Sequence, residues 1–154
     1  MNRVVTGYDE NGRPAVIAQG EPPTVIHAGR YTTTELWVSD RGPITAALAD
    51  ASTRDWALEP PAGGACFRIV EIAGTGAAGS PAAGAGHAGF QEAHATQTLD
   101  YVTILRGEVT LVIGDSEVTL GPGDSVVQQP GVPHDWQNRT GENAVMVGVL
   151  LSAR

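Results

Sequence analysis

The second half of the chain alternates between apolar and polar residues with a period of two. The stretch VTILRGEVTLVI, residues 102–113, is typical of β-strands, because successive side chains of a strand point to opposite faces of a sheet. Glycine-containing turns separate the strands predicted at 99–105, 108–113, 117–120, 125–129, 134–138 and 144–151. This short, even spacing predicts an antiparallel barrel or a double-sheet sandwich.

The N-terminal third follows the same pattern. RVVTGYDENGRPAVIA, residues 3–18, predicts a hairpin around Asn11-Gly12, since Asn-Gly favours a tight hairpin turn. TTTELWVS at 32–39 and ACFRIVEIA at 65–73 predict two further strands. The helical period is rare, and ITAALADAS at 44–52 is the segment compatible with a helical turn or two. The predicted fold class is therefore all-β.

The chain has the length of one domain. Its 154 residues, 42% of them hydrophobic, are enough to bury one substantial core. We expect a single domain over 1–154, with the N-terminal strands and the short helix in 1–60 and the barrel in 65–152. The Gly/Ala-rich segment 74–92 has little apolar bulk, which predicts a flexible loop that covers the barrel mouth.

The charge of the chain excludes two classes of partner. A formal net charge of -8 argues against nucleic acid and anionic membranes, because binding to either begins with clustered Lys and Arg. The N-terminus lacks the apolar core of a signal peptide, and no uncharged apolar stretch is long enough to cross a bilayer. We therefore expect a cytoplasmic protein. The single cysteine, Cys66, is interpreted as core filling.

Two polar residues lie on an unexpected face. His94 and Asp100 share the alternating face of Val102 and Ile104, which a barrel normally keeps apolar. On one straight strand His94 and Asp100 would be about 20 Å apart, because each residue adds about 3.3 Å. We infer that the chain bends at 96–98, so that both side chains reach the same end of the barrel.

A third polar group comes from the stretch PGVPHDWQN. Its Pro-Gly turn places His134 at the start of a strand, on the face shared by Trp136 and Asn138. His94, Asp100 and His134 are therefore the candidate catalytic residues.

The spacings H-x-T-x3-D-x6-G and G-x7-G-x2-H-x3-N resemble the two motifs of the cupin superfamily. They are carried by His94, Thr96, Asp100, Gly107, Gly123, Gly131, His134 and Asn138. The resemblance covers roughly 94–138, and the H-x-T-x3-D variant of the first motif resembles that of small single-domain cupins. It implies a cupin-type antiparallel β-barrel, also called a double-stranded β-helix or jelly roll, with extra N-terminal strands.

The resemblance also implies a metal site. Cupins usually bind one divalent ion through two His and a Glu of the first motif and a His of the second. By position these correspond to His94, Thr96, Asp100 and His134. Because threonine is a poor ligand, the implied metal ligands are His94, Asp100 and His134, which suit Fe, Mn, Ni or Zn. The alternative is a metal-free pocket in which Asp100 pairs with one of the two histidines.

Three residues near this site are candidates for binding substrate. Thr96 is expected at the edge of the site. Trp136 is interpreted either as a stacking surface for a flat ligand or as packing. Gln128 is a polar residue in the apolar strand SVVQQ, and the alternation leaves open whether Gln128 or Gln129 faces inward.

Three functions are compatible with such a site. The first is a metal-dependent lyase, isomerase or dioxygenase acting on a small organic acid, carbonyl or aromatic compound. The second is a metal-free dehydratase or isomerase that uses histidine as general acid or base. The third is a cupin that binds a small ligand without turnover. The family resemblance does not choose among them, because one fold hosts many chemistries.

The expected partners are a small-molecule ligand and a second copy of the chain. The N-terminal hairpin carries the apolar pairs Val4-Val5 and Val16-Ile17, which the barrel alone need not bury. We predict that the hairpin covers the sheet of a neighbour in a homodimer.

Overall fold

The computed structural model describes residues 1–42, 49–75 and 93–154. These residues form eleven strands and no helix, which confirms the all-β prediction. The predicted helical turns at 44–52 and the predicted cover at 74–92 fall largely outside the described residues. The strands are β1 (Arg3–Tyr8), β2 (Pro14–Gly20), β3 (Thr24–Ala28), β4 (Tyr31–Ser39), β5 (Ala65–Ile72), β6 (Thr98–Arg106), β7 (Val109–Ile113), β8 (Ser116–Leu120), β9 (Ser125–Gln128), β10 (Asp135–Gln137) and β11 (Ala144–Ser152).

The described strands pair into three antiparallel sheets. The largest has six strands in the order β3-β4-β5-β11-β6-β9, the second has the order β10-β7-β8, and β1 pairs with β2 alone. The N-terminal strands β3 and β4 therefore extend the main sheet. Strand β3 was not predicted, because it is only five residues long and follows Pro22-Pro23 directly.

One core joins the two larger sheets. Its buried side chains come from both, among them Ile72 and Ile104 of the six-stranded sheet and Val109 and Leu111 of the three-stranded sheet. The sheets remain separate along their described strands, so the fold is a two-sheet jelly roll rather than one continuously hydrogen-bonded barrel. The inward faces of β5, β6 and β11 thereby look toward β7 and β10.

The predicted N-terminal hairpin is confirmed. Strands β1 and β2 are antiparallel, and the turn is closed by a hydrogen bond from the Gly12 amide to the Asp9 carbonyl of 3.0 Å. Gly12 has a φ of 72°, a conformation that glycine adopts without steric cost. Arg3 connects the hairpin to the rest of the fold, because its guanidinium donates to the Leu36 carbonyl at 3.0 Å and to Asp50 at 2.5 Å.

Candidate functional site

Residues of both larger sheets line a cavity. Its apolar wall consists of Leu58, Val70, Val102, Trp136, Met146 and Leu150, and its polar wall of Tyr31, Arg68, His94, Thr96, Asp100 and His134. The space open to the centres of water molecules is about 60 Å³, and one water needs roughly 10–15 Å³ of such space. The cavity therefore has room for several waters or a small organic molecule.

The two motif histidines lie side by side in this cavity. The His94 amide donates to the His134 carbonyl at 3.0 Å, and the His134 amide donates back to the His94 carbonyl at 2.9 Å. The ring centroids are 4.7 Å apart and the ring planes are tilted by 56°. A two-residue antiparallel bridge thus sets the distance between the two imidazoles.

A change of direction after His94 brings Asp100 to the same cavity. The Thr96 carbonyl accepts from the Gly131 amide at 2.8 Å, and the Thr98 hydroxyl donates to the Thr96 hydroxyl at 2.8 Å. Strand β6 begins at Thr98, so Asp100 is already part of the main sheet. His94, Thr96 and Asp100 all line the cavity as a result.

The tautomer of His134 is set by its own backbone. Its Nδ1 lies 2.9 Å from the Val132 carbonyl oxygen, and because a carbonyl only accepts, Nδ1 carries the proton. Burial lowers the pKa of His134, an effect that exceeds the opposing influence of the Val132 carbonyl. The ring is therefore a neutral imidazole whose other nitrogen, Nε2, has a free lone pair.

The Asp100 carboxyl has the opposite tendency. Burial raises its pKa, while the Thr98 hydroxyl and electrostatic interactions with the His134, Arg68 and His94 side chains lower it by less. Its Oδ1 is buried and has no hydrogen-bond partner among the described residues. This carboxyl is therefore poised to hold a proton more firmly than an exposed aspartate does.

Gln128 faces inward but does not line the cavity. It is buried, whereas Gln129 is exposed, and it pairs with Asp100 across β6 and β9. Its Nε2 donates to the Val132 carbonyl at 3.3 Å, the same oxygen that His134 contacts. Gln128 thus lies outside the cavity lining, opposite Asp100 and next to the Val132 carbonyl that His134 contacts.

Trp136 and Asn138 have different surroundings although they share a strand face with His134. Trp136 lines the cavity, belongs to the buried core and meets His134 edge-on at 6.4 Å between centroids. Asn138 is fully buried and donates to the Ile72 carbonyl at 3.0 Å and the Glu142 carbonyl at 2.6 Å. Trp136 thus packs in the core and also lines the cavity, whereas Asn138 binds backbone carbonyls outside the cavity.

A buried ion pair beside the cavity was missed from the sequence. Arg68 and Glu35 are register partners on β5 and β4, and their side chains, each 3% exposed, meet at 2.9 Å. Glu35 also accepts from the Trp56 indole at 2.9 Å. Arg68 lies between apolar residues of β5, whereas Glu35 follows three threonines in β4. A charged residue flanked by apolar residues, at Arg68, was the available signal.

Tyr31 and Leu58 were also missed. The Tyr31 hydroxyl donates to the Trp136 carbonyl at 2.8 Å, which fastens the first residue of β4 to β10. Leu58 reaches the cavity from an irregular segment, and its carbonyl accepts from Arg68 at 2.9 Å. Neither residue belongs to a motif, so their contribution depends on the tertiary fold.

The residues predicted to hold a metal ion are only partly assembled. Within 1–42, 49–75 and 93–154, no three His, Cys, Asp or Glu side chains are grouped closely enough to bind one ion. The two imidazoles alone do suit an ion, since nitrogens bound at about 2.0–2.1 Å place two ring centres roughly 5 Å apart. The described side chains therefore provide two adjacent nitrogen donors but not the full set of three.

The sequence of residues 82–150 matches the family model described as the cupin domain. This match confirms the cupin resemblance over these residues. This finding agrees with the two motifs and with the two-sheet jelly roll around the histidines. A search of the curated proteins finds none that matches this chain.

Two solved structures share the fold of this chain. The polyketide cyclase RemF from Streptomyces resistomycificus has 15% sequence identity and a TM-score of 0.52, and the match covers 98% of this chain and 75% of that one. HppE in its apo form has 16% identity and a TM-score of 0.52, with 94% of this chain and 61% of that chain covered. At such identities the likeness concerns the fold alone.

None of the described residues forms a helix long and apolar enough to cross a membrane.

Proposed function

We propose that this cupin binds a small organic acid, carbonyl or aromatic compound in its cavity and catalyses a proton transfer on it without needing a metal ion. The observation that carries the proposal is the bond from His134 Nδ1 to the Val132 carbonyl. It leaves Nε2 of a neutral imidazole as the nitrogen available to a molecule in the cavity. A neutral imidazole of lowered pKa is suited to act as a general base near neutral pH.

In the proposed reaction, His134 and Asp100 exchange protons with the same bound molecule. Nε2 of His134 takes a proton from a carbon or hydroxyl of the substrate. The Asp100 carboxyl donates a proton to the oxygen on which negative charge develops, or to a departing hydroxyl. In an isomerisation, His134 returns its proton at another carbon and Asp100 takes its own proton back from the oxygen, so both residues regain their starting state. In a dehydration the substrate loses water, and the proton on His134 then passes to Asp100 through solvent, so protons balance in both cases.

The other cavity residues bind and orient the substrate. The edge of Trp136 and the side chains of Val102 and Leu150 supply apolar contact to a compact body. Thr96 offers a hydroxyl beside His94. The apolar wall also keeps bulk water away from the two proton-carrying groups, which strengthens their electrostatic interaction with the substrate.

The experiment is a conversion assay on untagged protein in buffer with excess EDTA. Small acids, ketones, hydroxy acids and phenols are followed by proton NMR with wild-type protein and with His134→Gln. The proposal predicts conversion of at least one compound by the wild type in EDTA and none by the variant. Binding without conversion across the panel would support a ligand-binding cupin instead.

A metal-dependent enzyme is the second candidate function, and the 4.7 Å separation of the two imidazole rings favours it. In this candidate His94 and His134 hold the ion and Asp100 is the third ligand; the ion supplies Lewis-acid or redox chemistry when bound. Elemental analysis of wild-type protein and His134→Ala tests it. Near-stoichiometric Fe, Mn, Ni or Zn that disappears in the variant, with conversion abolished by EDTA, would replace the metal-free proposal.

A further inference from the structure

A glycine in the middle of a strand leaves a hollow in the cavity floor. Gly148 lies on β11 between its register partners Arg68 on β5 and Val102 on β6, and all three residues line the cavity. Glycine weakens a strand interior because it adds backbone entropy to the unfolded chain and no packing to the folded one. A glycine at this position of β11 therefore needs a structural explanation.

Neither backbone conformation nor crowding explains Gly148. It is not among the glycines with positive φ, so an L-residue can adopt its conformation. A Cβ added at this position would lie 3.5 Å from a Leu150 methyl and 3.7 Å from a Val102 methyl, which is ordinary van der Waals contact. What the missing side chain provides is space, directly beside Arg68.

Arg68, one of the residues that line the cavity, has one donor without a partner among the described residues. Its Nη1 donates to the Leu58 carbonyl at 2.9 Å, and its Nη2 is paired with Glu35 at 2.9 Å. Its Nε is buried and has no hydrogen-bond partner among the described residues. An unpaired buried donor is costly, and an acceptor on a bound molecule would satisfy it.

We propose that the hollow at Gly148 is the subsite for the carboxylate of a small organic acid, which Arg68 binds through its guanidinium. This inference rests on the proposed function and names the substrate class for the same cavity. The rest of the acid lies against Val102 and Leu150 and reaches toward the two histidines. The substrate is thus an acid with a short, largely apolar body.

A carboxylate suits this subsite better than a neutral carbonyl does. Arginine stays charged in proteins, and its hydrogen bonds to an anion are about twice as strong as bonds between neutral groups. Asp100 is the acidic group that lines the same cavity, but it lies on β6, and β11 separates that strand from Arg68 on β5. Glu35 engages Arg68 through Nη2 and leaves Nε for the ligand.

The test uses three acids and their neutral counterparts. Butanoate, benzoate and phenylacetate are compared with butanamide, benzamide and phenylacetamide by isothermal titration calorimetry at pH 7. The proteins are wild type, Gly148→Ala and, as matched control, Gly121→Ala. Gly121 is also a glycine without positive φ, and a Cβ there meets no atom within 4 Å. Thermal melting verifies that both variants are folded.

We expect at least one acid to bind wild-type protein at least tenfold more tightly than its amide. Gly148→Ala is expected to weaken that acid at least tenfold while its melting temperature stays equal or rises, and Gly121→Ala should bind like the wild type. The inference is overturned if no acid binds, if an amide binds as tightly as its acid, or if Gly148→Ala leaves acid binding unchanged.

The same proteins separate this inference from the proposed function. Acids that bind in the predicted way but show no proton exchange in D₂O with any protein would leave the subsite standing and remove the acid–base role. If wild type and Gly148→Ala instead convert neutral ketones at the same rate, that result would support the acid–base role and remove the subsite, because proton transfer would then occur without a carboxylate subsite.

Discussion

The His134 imidazole and the Gln128 side chain share one acceptor, the Val132 carbonyl oxygen, at 2.9 Å and 3.3 Å respectively. Gln128 in turn lies opposite Asp100 in the register of β6 and β9. The turn that holds the His134 imidazole therefore also anchors the register partner of Asp100. Such support holds a histidine in one tautomer and one orientation.

The lowered pKa of His134 predicts a pH-dependent contribution to stability. The unfolded chain binds the proton near the ordinary pKa of about 6.5, and the folded chain binds it at lower pH because the ring is buried. The contribution is fully present above about pH 6.5 and is lost as the pH falls through the folded-state pKa. Between pH 7.5 and pH 5, the melting temperature of the wild-type protein should therefore fall further than that of His134→Gln.

The control for this experiment is His27→Gln. His27 lies on the exposed side of strand β3, so the variant removes a histidine without touching the cavity. If His134→Gln and wild type lose stability in parallel over this pH range, the buried neutral imidazole is not the species in the folded protein.

The buried pair Glu35 and Arg68 should behave as a unit. Arg68→Met leaves the Glu35 carboxylate buried without its partner, which typically costs about 3–5 kcal/mol of unfolding free energy. Glu35→Gln keeps an acceptor for the Trp56 indole, so the double variant should recover most of that loss. Urea unfolding of the four proteins measures the coupling. Losses that simply add would show that the two charges do not interact in the folded protein.

The N-terminal hairpin is predicted to mediate a homodimer. Val4, Val16 and Ile17 are all exposed on it, an apolar surface that favours burial against a second copy. The double variant Val16→Ser and Ile17→Ser should shift the mass from dimer to monomer in light scattering. Gln19→Ser, at an exposed position of the same strand β2, should remain dimeric. A wild-type monomer at micromolar concentration would contradict the prediction.

The sequence predicts the strands well because most of them are half-buried. Alternation fixes both the element and its inward face, as in β6 and β11, where every second residue is buried. The two motifs predict which strand ends carry His94 and His134. The bridge between these residues requires the fold, since 40 positions separate them in the chain.

The sequence predicts less about the rest of the cavity. Arg68, Glu35 and Gly148 lie on three neighbouring strands, and their shared wall follows from strand order and register. Alternation within one strand contains no information on which strand lies beside it. A buried charge or a glycine inside an apolar strand marks an unusual position, but its partner becomes visible only in the sheet.

Deuterium transfer is the most direct test of the central claim, that His134 moves a substrate proton without a metal ion. A compound identified in the conversion assay is incubated in D₂O with excess EDTA, and proton NMR follows loss of the signal at the reacting carbon. The account predicts deuterium uptake with wild-type protein and with His27→Gln, and a loss of at least about 100-fold in rate with His134→Gln. Uptake that persists in His134→Gln, or that stops in EDTA and returns with added metal, would contradict it.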